Sequence, residues 1–526
     1  MTPDKVPSSP ASPSSLTAVP PAPGKPSIAD RLRALATPRV MLSAGFILAA
    51  IIVAGVILRF YRFNAPLLDQ HAFRQTQTAR EVWLWHRFGF SPFEYHVPMY
   101  GGGFWVLEFP WYQWIVYGLG LVFGLHEQLG RVVSIMAFVA CAYLLFEIGK
   151  RLLGSRAAAV AAVVFLAFMP ATVFFYRAFL IDPTLIAVAL LMLLAAIRLW
   201  ERFSWTWTAV FVGAFFVTAL GKANLIVVFS LPIIVLIVRA LMARRLPWKG
   251  LAVLTGGAVL SIVTLWLWTR HADSLNVPSN GMTFANMRWW YFGSTLLDGN
   301  LWHTVFNRFL DNLNFVGLLF VGLGLTAIAT LRSGHRLVMV ALIASGFMSI
   351  AVFANLNRVH DYYQLPYYPT IALLGGLGVW SIGSLALRIS RERAIQLTAG
   401  ILAGLAMGWT ITLFHASYFA DAAFDMASLG IATELAQHTP DKPLVYLADA
   451  ADPNEPMVLY EARRLGWRVP TADEAQAKRR VAASSDLGAI AVQKGATGIP
   501  PWVQPLAAGK GFRLTWDGPT FAIYSK

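Results

Sequence analysis

Residues 183–199 read PTLIAVALLMLLAAIRL, an apolar run broken only by Arg198 near its end. As a helix rising about 1.5 Å per residue it has the reach of a bilayer's hydrocarbon core. The flanks differ in chemistry. Arg177 and Asp182 stand before it, Arg198 and Arg202 at its exit. This segment predicts a membrane-spanning helix with titratable groups at one end and plain positive charge at the other.

Similar runs fall near 40–60, 131–149, 157–176, 206–221, 224–240, 250–269, 312–331, 337–354, 367–387 and 394–414, which makes about eleven spans. With a cytoplasmic N-terminus, the short loops bearing Lys150, Arg151 and Arg156, then Arg198 and Arg202, then Arg239, Arg244, Arg245 and Lys249, then Arg332 and Arg336, then Arg388, Arg391 and Arg393 all lie inside. The 14-residue stretch from Tyr112 to Leu125 is too short to span, and counting it would turn Lys150–Arg156 outward, so it is expected as an interfacial or re-entrant helix. Three long segments then face outward: 61–130, 270–311, and everything from about 415. Trp83, Trp85, Trp105, Trp111 and Trp114 in the first, with Trp289, Trp290 and Trp302 in the second, have the composition of an interfacial aromatic belt.

The whole chain agrees with this reading. It is 57% apolar and 13% charged, with a mean hydropathy of +0.57, too apolar for a protein with a fully wet surface. The net charge of +15 sits in short clusters between apolar runs, the pattern that orients a membrane protein and not one that grips nucleic acid. Cys141 is the single cysteine, which excludes an intramolecular disulfide and a thiolate zinc site. Residues 1–28, rich in Pro, Ser and Ala, are expected as a disordered tail, followed by an uncleaved first helix inside a transmembrane region of about 29–420. From 421 to 526 the texture changes. Helical pieces at 426–437, 456–465 and 472–482 alternate with strand-like pieces at 444–447, 489–492, 512–516 and 520–524, which predicts a small soluble α/β domain on the outside. The expected fold class is therefore an all-α polytopic membrane protein with a C-terminal extracytoplasmic α/β domain.

The residues able to do chemistry gather in the outward connections. After the first span comes Asp69-Gln70-His71-Ala72-Phe73-Arg74-Gln75-Thr76-Gln77-Thr78-Ala79, read as an interfacial helix with His71, Gln75 and Thr78 on one face. Asp69 at its start is either an N-cap or a functional carboxylate. Asp182, at the membrane edge, is costly to ionise unless it is paired, with Arg177 as one partner, or lines a polar cavity. Shared sidedness would let Asp69 and Asp182 divide the roles of base and stabiliser. The loop Arg358-Val359-His360-Asp361-Tyr362-Tyr363-Gln364-Leu365-Pro366 offers cationic and phenolic donors suited to a lipid phosphate; alternatively Arg358 and Asp361 form a plain ion pair and the tyrosines serve the belt. Lys222, Glu108 and Arg131 complete the candidates. The second loop holds His271, Asp273, Arg288, Asp298 and His303 without metal-ligand spacing, and the sequence leaves open whether a divalent metal assists. A secondary transporter or lipid flippase is the rival reading. Against it, ionisable groups collect at span ends and no internal repeat stands out.

The run Asp69–Ala79, the Glu108-Phe109-Pro110 turn, the Arg177–Pro183 segment and the His360–Pro366 loop together resemble successive landmarks of the GT-C glycosyltransferases. More narrowly, they are similar to glycosyltransferase family 39, the protein-O-mannosyltransferase-like branch that includes the aminoarabinose transferases of lipid A, a lipopolysaccharide component. The resemblance implies inverting transfer of a monosaccharide from a polyprenyl-phosphate donor to a glycolipid, polysaccharide or protein acceptor, at the outer face of a bacterial inner membrane. It implies Asp69 as the catalytic base and Asp182 as the second acidic position. Tyr363, Arg358, His360 and Lys222 would hold the leaving phosphate, with His71, Arg74 and Glu108 also in the substrate site. Aminoarabinose transferases carry Lys in the Glu-x-Pro turn where this chain has Phe109. That departure argues against an aminoarabinose donor and leaves the sugar open.

Overall fold

The computed structural model describes residues 44–94, 106–277, 294–386, 424–448, 456–495 and 498–526, with isolated positions between 400 and 418. The expected tail at 1–28, most of the run at 394–414, and Trp105, Arg288, Trp289 and Trp290 lie outside these residues. The other ten apolar runs all fall on helices. Among the described residues six helices are long and apolar enough to cross a bilayer: Glu127–Leu152, Asp182–Glu201, Asn224–Met242, Trp248–Asn276, Gly299–Thr330 and Ser333–Val352. The chain is a multi-pass membrane protein.

In chain order the helices are α1 (Ala44–Arg59), α2 (Ala72–Phe88), α3 (Trp111–Phe123), α4 (Glu127–Leu152), α5 (Arg156–Phe168), α6 (Pro170–Phe175), α7 (Asp182–Glu201), α8 (Trp205–Gly221), α9 (Asn224–Met242), α10 (Trp248–Asn276), α11 (Gly299–Ala327), α12 (Ser333–Val352), α13 (Ala354–Val359) and α14 (Tyr368–Ala386). Helix α14 packs closely on α5 and α11 because glycines remove the side chains between them. A methyl on Gly378 would lie 1.9 Å from the Phe320 carbonyl oxygen, and one on Gly376 would lie 2.3 Å from that of Ala158.

Three departures from the expected spans shape the site. The run at 157–176 is not one helix; Pro170 ends α5 and starts the single turn of α6, because proline gives no N–H and suits a first helical position. Buried Arg59 of α1 donates to the Ala167 and Thr172 carbonyls beside that break. Helix α11 begins thirteen residues before the expected span at 312 and kinks at Asn314 (φ 50°, ψ −176°), whose side-chain oxygen accepts from the Val316 and Gly317 amides and caps the second half. Lastly, Trp83 and Trp85 are buried within the protein, so they serve the core and not an interfacial belt.

The C-terminal part carries α15 (Met426–His438), β1 (Leu444–Ala448), α16 (Met457–Glu461), β2 (Gly466–Pro470), α17 (Glu474–Ala483), β3 (Ala489–Gln493), α18 (Val503–Gly509), β4 (Arg513–Asp517) and β5 (Phe521–Ser525). The sheet runs β2-β1-β3-β5-β4, parallel through the first three strands and antiparallel at β5 and β4. Strands β1 and β5 are buried at every position, as expected for apolar strands covered on both faces. Strand β2, which begins with a left-handed glycine (Gly466, φ 144°) and ends in Pro470, and the short α18 add to the expected elements, and the helix expected at 456–465 shrinks to the single turn of α16.

Candidate active site

The helix after the first span starts at Ala72, not at Asp69. His71 precedes it in the left-handed region (φ 58°), and no side chain caps the first turn. Asp69 is therefore not an N-cap. It lies in the turn before α2, 3% exposed, with its Oδ2 receiving a 2.6 Å bond from Arg177 Nη2 and its Oδ1 bonded by Gln75 Nε2. Gln75 also donates to the Gln70 carbonyl (3.0 Å) and accepts the Phe179 amide N–H (3.0 Å), so it ties α2 to the turn that leads into α7. Burial raises the Asp69 carboxyl above the ordinary range, with Arg177 and then Arg131 opposing.

Two buried guanidinium groups hold the loop that carries Asp69. Arg131 donates to the carbonyls of Arg62 (2.9 Å), Phe63 (2.7 Å) and Pro66 (3.3 Å). Arg177 donates to those of Tyr61 (2.9 Å) and Arg62 (3.0 Å). Planar forks of five N–H donors suit this use, since each satisfies several backbone oxygens that have no helix to join.

Asp182 begins α7 with Pro183 behind it and is fully buried. Its Oδ1 is ion-paired with Lys222, and its Oδ2 is buried without a partner. Arg177, the partner considered for Asp182, goes to Asp69 instead, and Lys222 takes its place beside Asp182. Lys222 lies at the α8–α9 junction, its Nζ 4.6 Å from the Tyr363 ring centre and 5.2 Å from that of Tyr362. Beside it, Arg74 Nη2 reaches both oxygens of Glu108 at 2.7 Å. The Phe109 amide donates to the Leu220 carbonyl (3.2 Å), which pins the Glu108 turn next to Lys222. Burial works against the Glu108 charge, but Arg74 and then Lys222 outweigh it and hold the carboxyl below its ordinary range. The Phe109 ring packs against Trp111 (4.5 Å), Trp268 (4.8 Å) and Trp114 (5.0 Å).

The loop from 360 closes over this cluster. His71 bonds Asp361, its ring 5.0 Å edge-on from Tyr362, and His360 stacks on Tyr362 at 5.1 Å. Burial, then His71 and Arg74, push His360 down to about 4, so it is neutral at physiological pH and serves as a hydrogen-bonding ring, not as a cation. Burial also raises the phenols of Tyr362 and Tyr363, which stay protonated donors.

His71, Arg74, Glu108, Asp182, Lys222, His360 and Tyr363 are thus linked by shared contacts, and Asp69 lies two residues before His71, held by Arg177 and Gln75. Arg358 is not among them: it is largely exposed and pairs with Asp298 at 3.4 Å, not with Asp361. Arg308, in contrast, donates to the Asn357 carbonyl (2.7 Å), and its charge steadies Asp361. The sequence places Gln75 on the polar face of its helix but not as a partner of Asp69, and it does not single out Arg308. Both look like ordinary polar positions on amphipathic helices, and only the long-range partner reveals them. Among the described residues no three His, Cys, Asp or Glu side chains form a metal-binding group. Near this cluster an apolar cavity of about 440 Å³ opens between α9, α11, α12 and α14, lined by Trp302, Phe306, Phe309, Leu313, Phe347 and Tyr367 among others.

Residues 108–268 match the family described as dolichyl-phosphate-mannose-protein mannosyltransferase. No curated protein matches in sequence. Among solved structures, the chain superposes on ArnT from Cupriavidus metallidurans bound to undecaprenyl phosphate with a TM-score of 0.62 and 15% identity, covering 92% of this chain and 98% of that one. It also superposes on the oligosaccharyltransferase AglB from Archaeoglobus fulgidus, in complex with an inhibitory peptide and a dolichol-phosphate, with a TM-score of 0.53 and 11% identity, covering 85% and 69%.

Proposed function

We propose, starting from a chain that carries the GT-C glycosyltransferase fold, that it moves a monosaccharide from a polyprenyl-phosphate donor to a cell-envelope acceptor, with inversion at the anomeric carbon. The acceptor is a glycolipid, a polysaccharide or a protein. The acceptor oxygen attacks the anomeric carbon, the bond from that carbon to the phosphate oxygen breaks with its electron pair, and the acceptor proton passes to a carboxylate. Asp69 takes that proton. Its burial makes it a stronger base than a solvated aspartate, and Arg177 keeps it ionised until the acceptor arrives. In the resting geometry Gln75 must yield Oδ1 before the proton can be taken, a rearrangement that substrate binding commonly brings about.

The observation that carries the reading is the convergence of Lys222, Arg74, Tyr362 and Tyr363 next to Asp182. Charge grows on the phosphate as it leaves, and donors already in place in a buried site lower that barrier without having to reorganise. Asp182 holds the Lys222 ammonium in position and turns its free Oδ2 toward a donor-sugar hydroxyl. The 440 Å³ apolar cavity supports a place for part of the prenyl chain, since its lining is aliphatic and aromatic. The distribution of basic loops supports a cytoplasmic N-terminus and an extracytoplasmic site, and the family resemblance supports a bacterial inner-membrane location. Phe109, packed among three tryptophans, stands where the aminoarabinose transferases carry Lys, which argues against an aminoarabinose donor and leaves the sugar open.

The test is transfer of labelled sugar from purified polyprenyl-phosphate donors by the wild type and by Asp69→Asn in detergent. Turnover that the substitution abolishes, in protein shown to be folded at the assay temperature, supports the reading. Wild-type turnover kept by the variant removes Asp69 from the chemistry, and no turnover with any donor turns the assignment toward a transporter.

A further inference from the structure

The soluble α/β part does not stand apart from the membrane site. The Asp425 amide N–H donates to the Leu68 carbonyl (2.9 Å), and the Leu67 amide N–H donates to the Glu461 carboxylate at the end of α16. Around these contacts, Arg463 Nη2 reaches Glu127 Oε1 at 2.7 Å, the Tyr460 hydroxyl reaches the same oxygen at 3.1 Å, and Arg80 of α2 donates to the Arg464 carbonyl at 3.2 Å. Leu67 and Leu68 are 0% and 1% exposed. The turn that presents Asp69 is thus fixed from two sides: Arg131 and Arg177 hold the carbonyls before it, and the α/β part holds the backbone of the two residues that immediately precede it.

We infer that Glu461 is a positioning residue for this site, holding the Leu67 amide so that docking of the α/β part sets where Asp69 sits. The inference rests on the proposed role of Asp69. Small displacements matter at a reacting centre, where about 1 Å of misplacement costs on the order of 100-fold in rate. The carboxyl also has a built-in sensitivity to pH. Burial first, then repulsion from Glu127, push Glu461 up to about 7, against attraction from Arg463, the Leu67 amide and Arg131; Tyr460 and Arg80 complete the groups facing this junction. Its Oε1 is buried without a partner, which favours the neutral form. An undocked Glu461 would titrate near 4.5, so docking takes up a proton between about 4.5 and 7 and weakens as pH rises through that window.

The experiment uses the full chain in lipid nanodiscs and compares wild type, Glu461→Ala and Glu461→Gln. It reads amide exchange over residues 66–70, exchange in α9 as a distant control, and transfer of labelled sugar at pH 5.5 and 8. Glu461→Ala is expected to speed exchange at Leu67 and Leu68 by about 10-fold or more while α9 is unchanged, and to lower kcat by about 10-fold with donor KM within about 3-fold. Glu461→Gln retains an acceptor oxygen, so it should keep the protection and the turnover but lose the change in Leu67 exchange between the two pH values. Wild-type exchange and kcat in Glu461→Ala would overturn the inference, as would a wild-type pH response in Glu461→Gln, which also decides the matter should the alanine variant fail to fold. Absence of transfer by the wild type would sink the proposed function while the exchange data still judged Glu461.

Discussion

The Asp69–Arg177 pair allows the chemistry of Asp69 to be separated from its structural work. Both side chains are 1% exposed and joined at 2.6 Å. Replacing Asp69 by Asn keeps the size but takes the counter-charge from a buried guanidinium that also donates to the Tyr61 and Arg62 carbonyls. Breaking a buried pair from one side costs about 3–5 kcal/mol, so Asp69→Asn alone is expected to lower the thermal midpoint markedly as well as to abolish transfer. The informative protein is the double variant Asp69→Asn/Arg177→Gln, in which no unpaired charge remains. Its stability should return to within about 2 kcal/mol of wild type, because the pair's Coulomb gain and its desolvation cost largely cancel. Transfer should not return: loss of a general base costs about 100- to 10,000-fold. Thermal unfolding in detergent and single-turnover sugar transfer measure the two effects separately. A double variant with turnover within about 10-fold of wild type would refute the base assignment and leave Asp69 as a counter-ion to Arg177.

Three other outcomes follow from the same geometry. Lys222→Met keeps the stem over Tyr363 and removes the cation next to Asp182, and should lower kcat by about 100- to 1,000-fold with little change in donor affinity, measured by steady-state transfer. Arg358→Ala should change turnover by less than about 3-fold, because its pair with Asp298 is solvent-exposed and such pairs contribute about 0–1 kcal/mol. Glu81, bonded by Gln113 at 2.6 Å, is pushed by burial up to about 8; Arg74 and the Gln113 bond oppose this. A carboxyl whose folded value is raised stabilises the fold in its neutral form, so the unfolding free energy, and with it the thermal midpoint, should fall as pH rises from about 4.5 to 8, the former by up to about 1.4 kcal/mol per pH unit. Glu81→Gln keeps an acceptor for Gln113 and should flatten that slope.

What the sequence made legible, and what it hid, divides along a physical line. Spans are written in composition over some twenty neighbouring residues, so ten of the apolar runs could be read directly and all lie on helices. Costly polar groups were also legible as candidates. A carboxylate or lysine at a span end is costly enough to need a reason, and Glu108, Asp182 and Lys222 fall into one cluster while Asp69 is paired with Arg177. Pairing was not legible, because it depends on which way a turn faces. Arg177 is five residues from Asp182 in sequence yet serves Asp69, more than a hundred residues away; Asp361 serves His71 and not its near neighbour Arg358. Short elements also escaped. Strand β2 is five residues bounded by Gly466 and Pro470, with too little alternation to be told from a turn. The same limit explains why Glu461 carried no signal: it is one acidic residue in a soluble helix until the fold sets its carboxyl against the Leu67 amide. In this chain the costly groups identify themselves in the sequence, and the backbone contacts that aim them become visible only once the α/β part is seated beside the loop they hold.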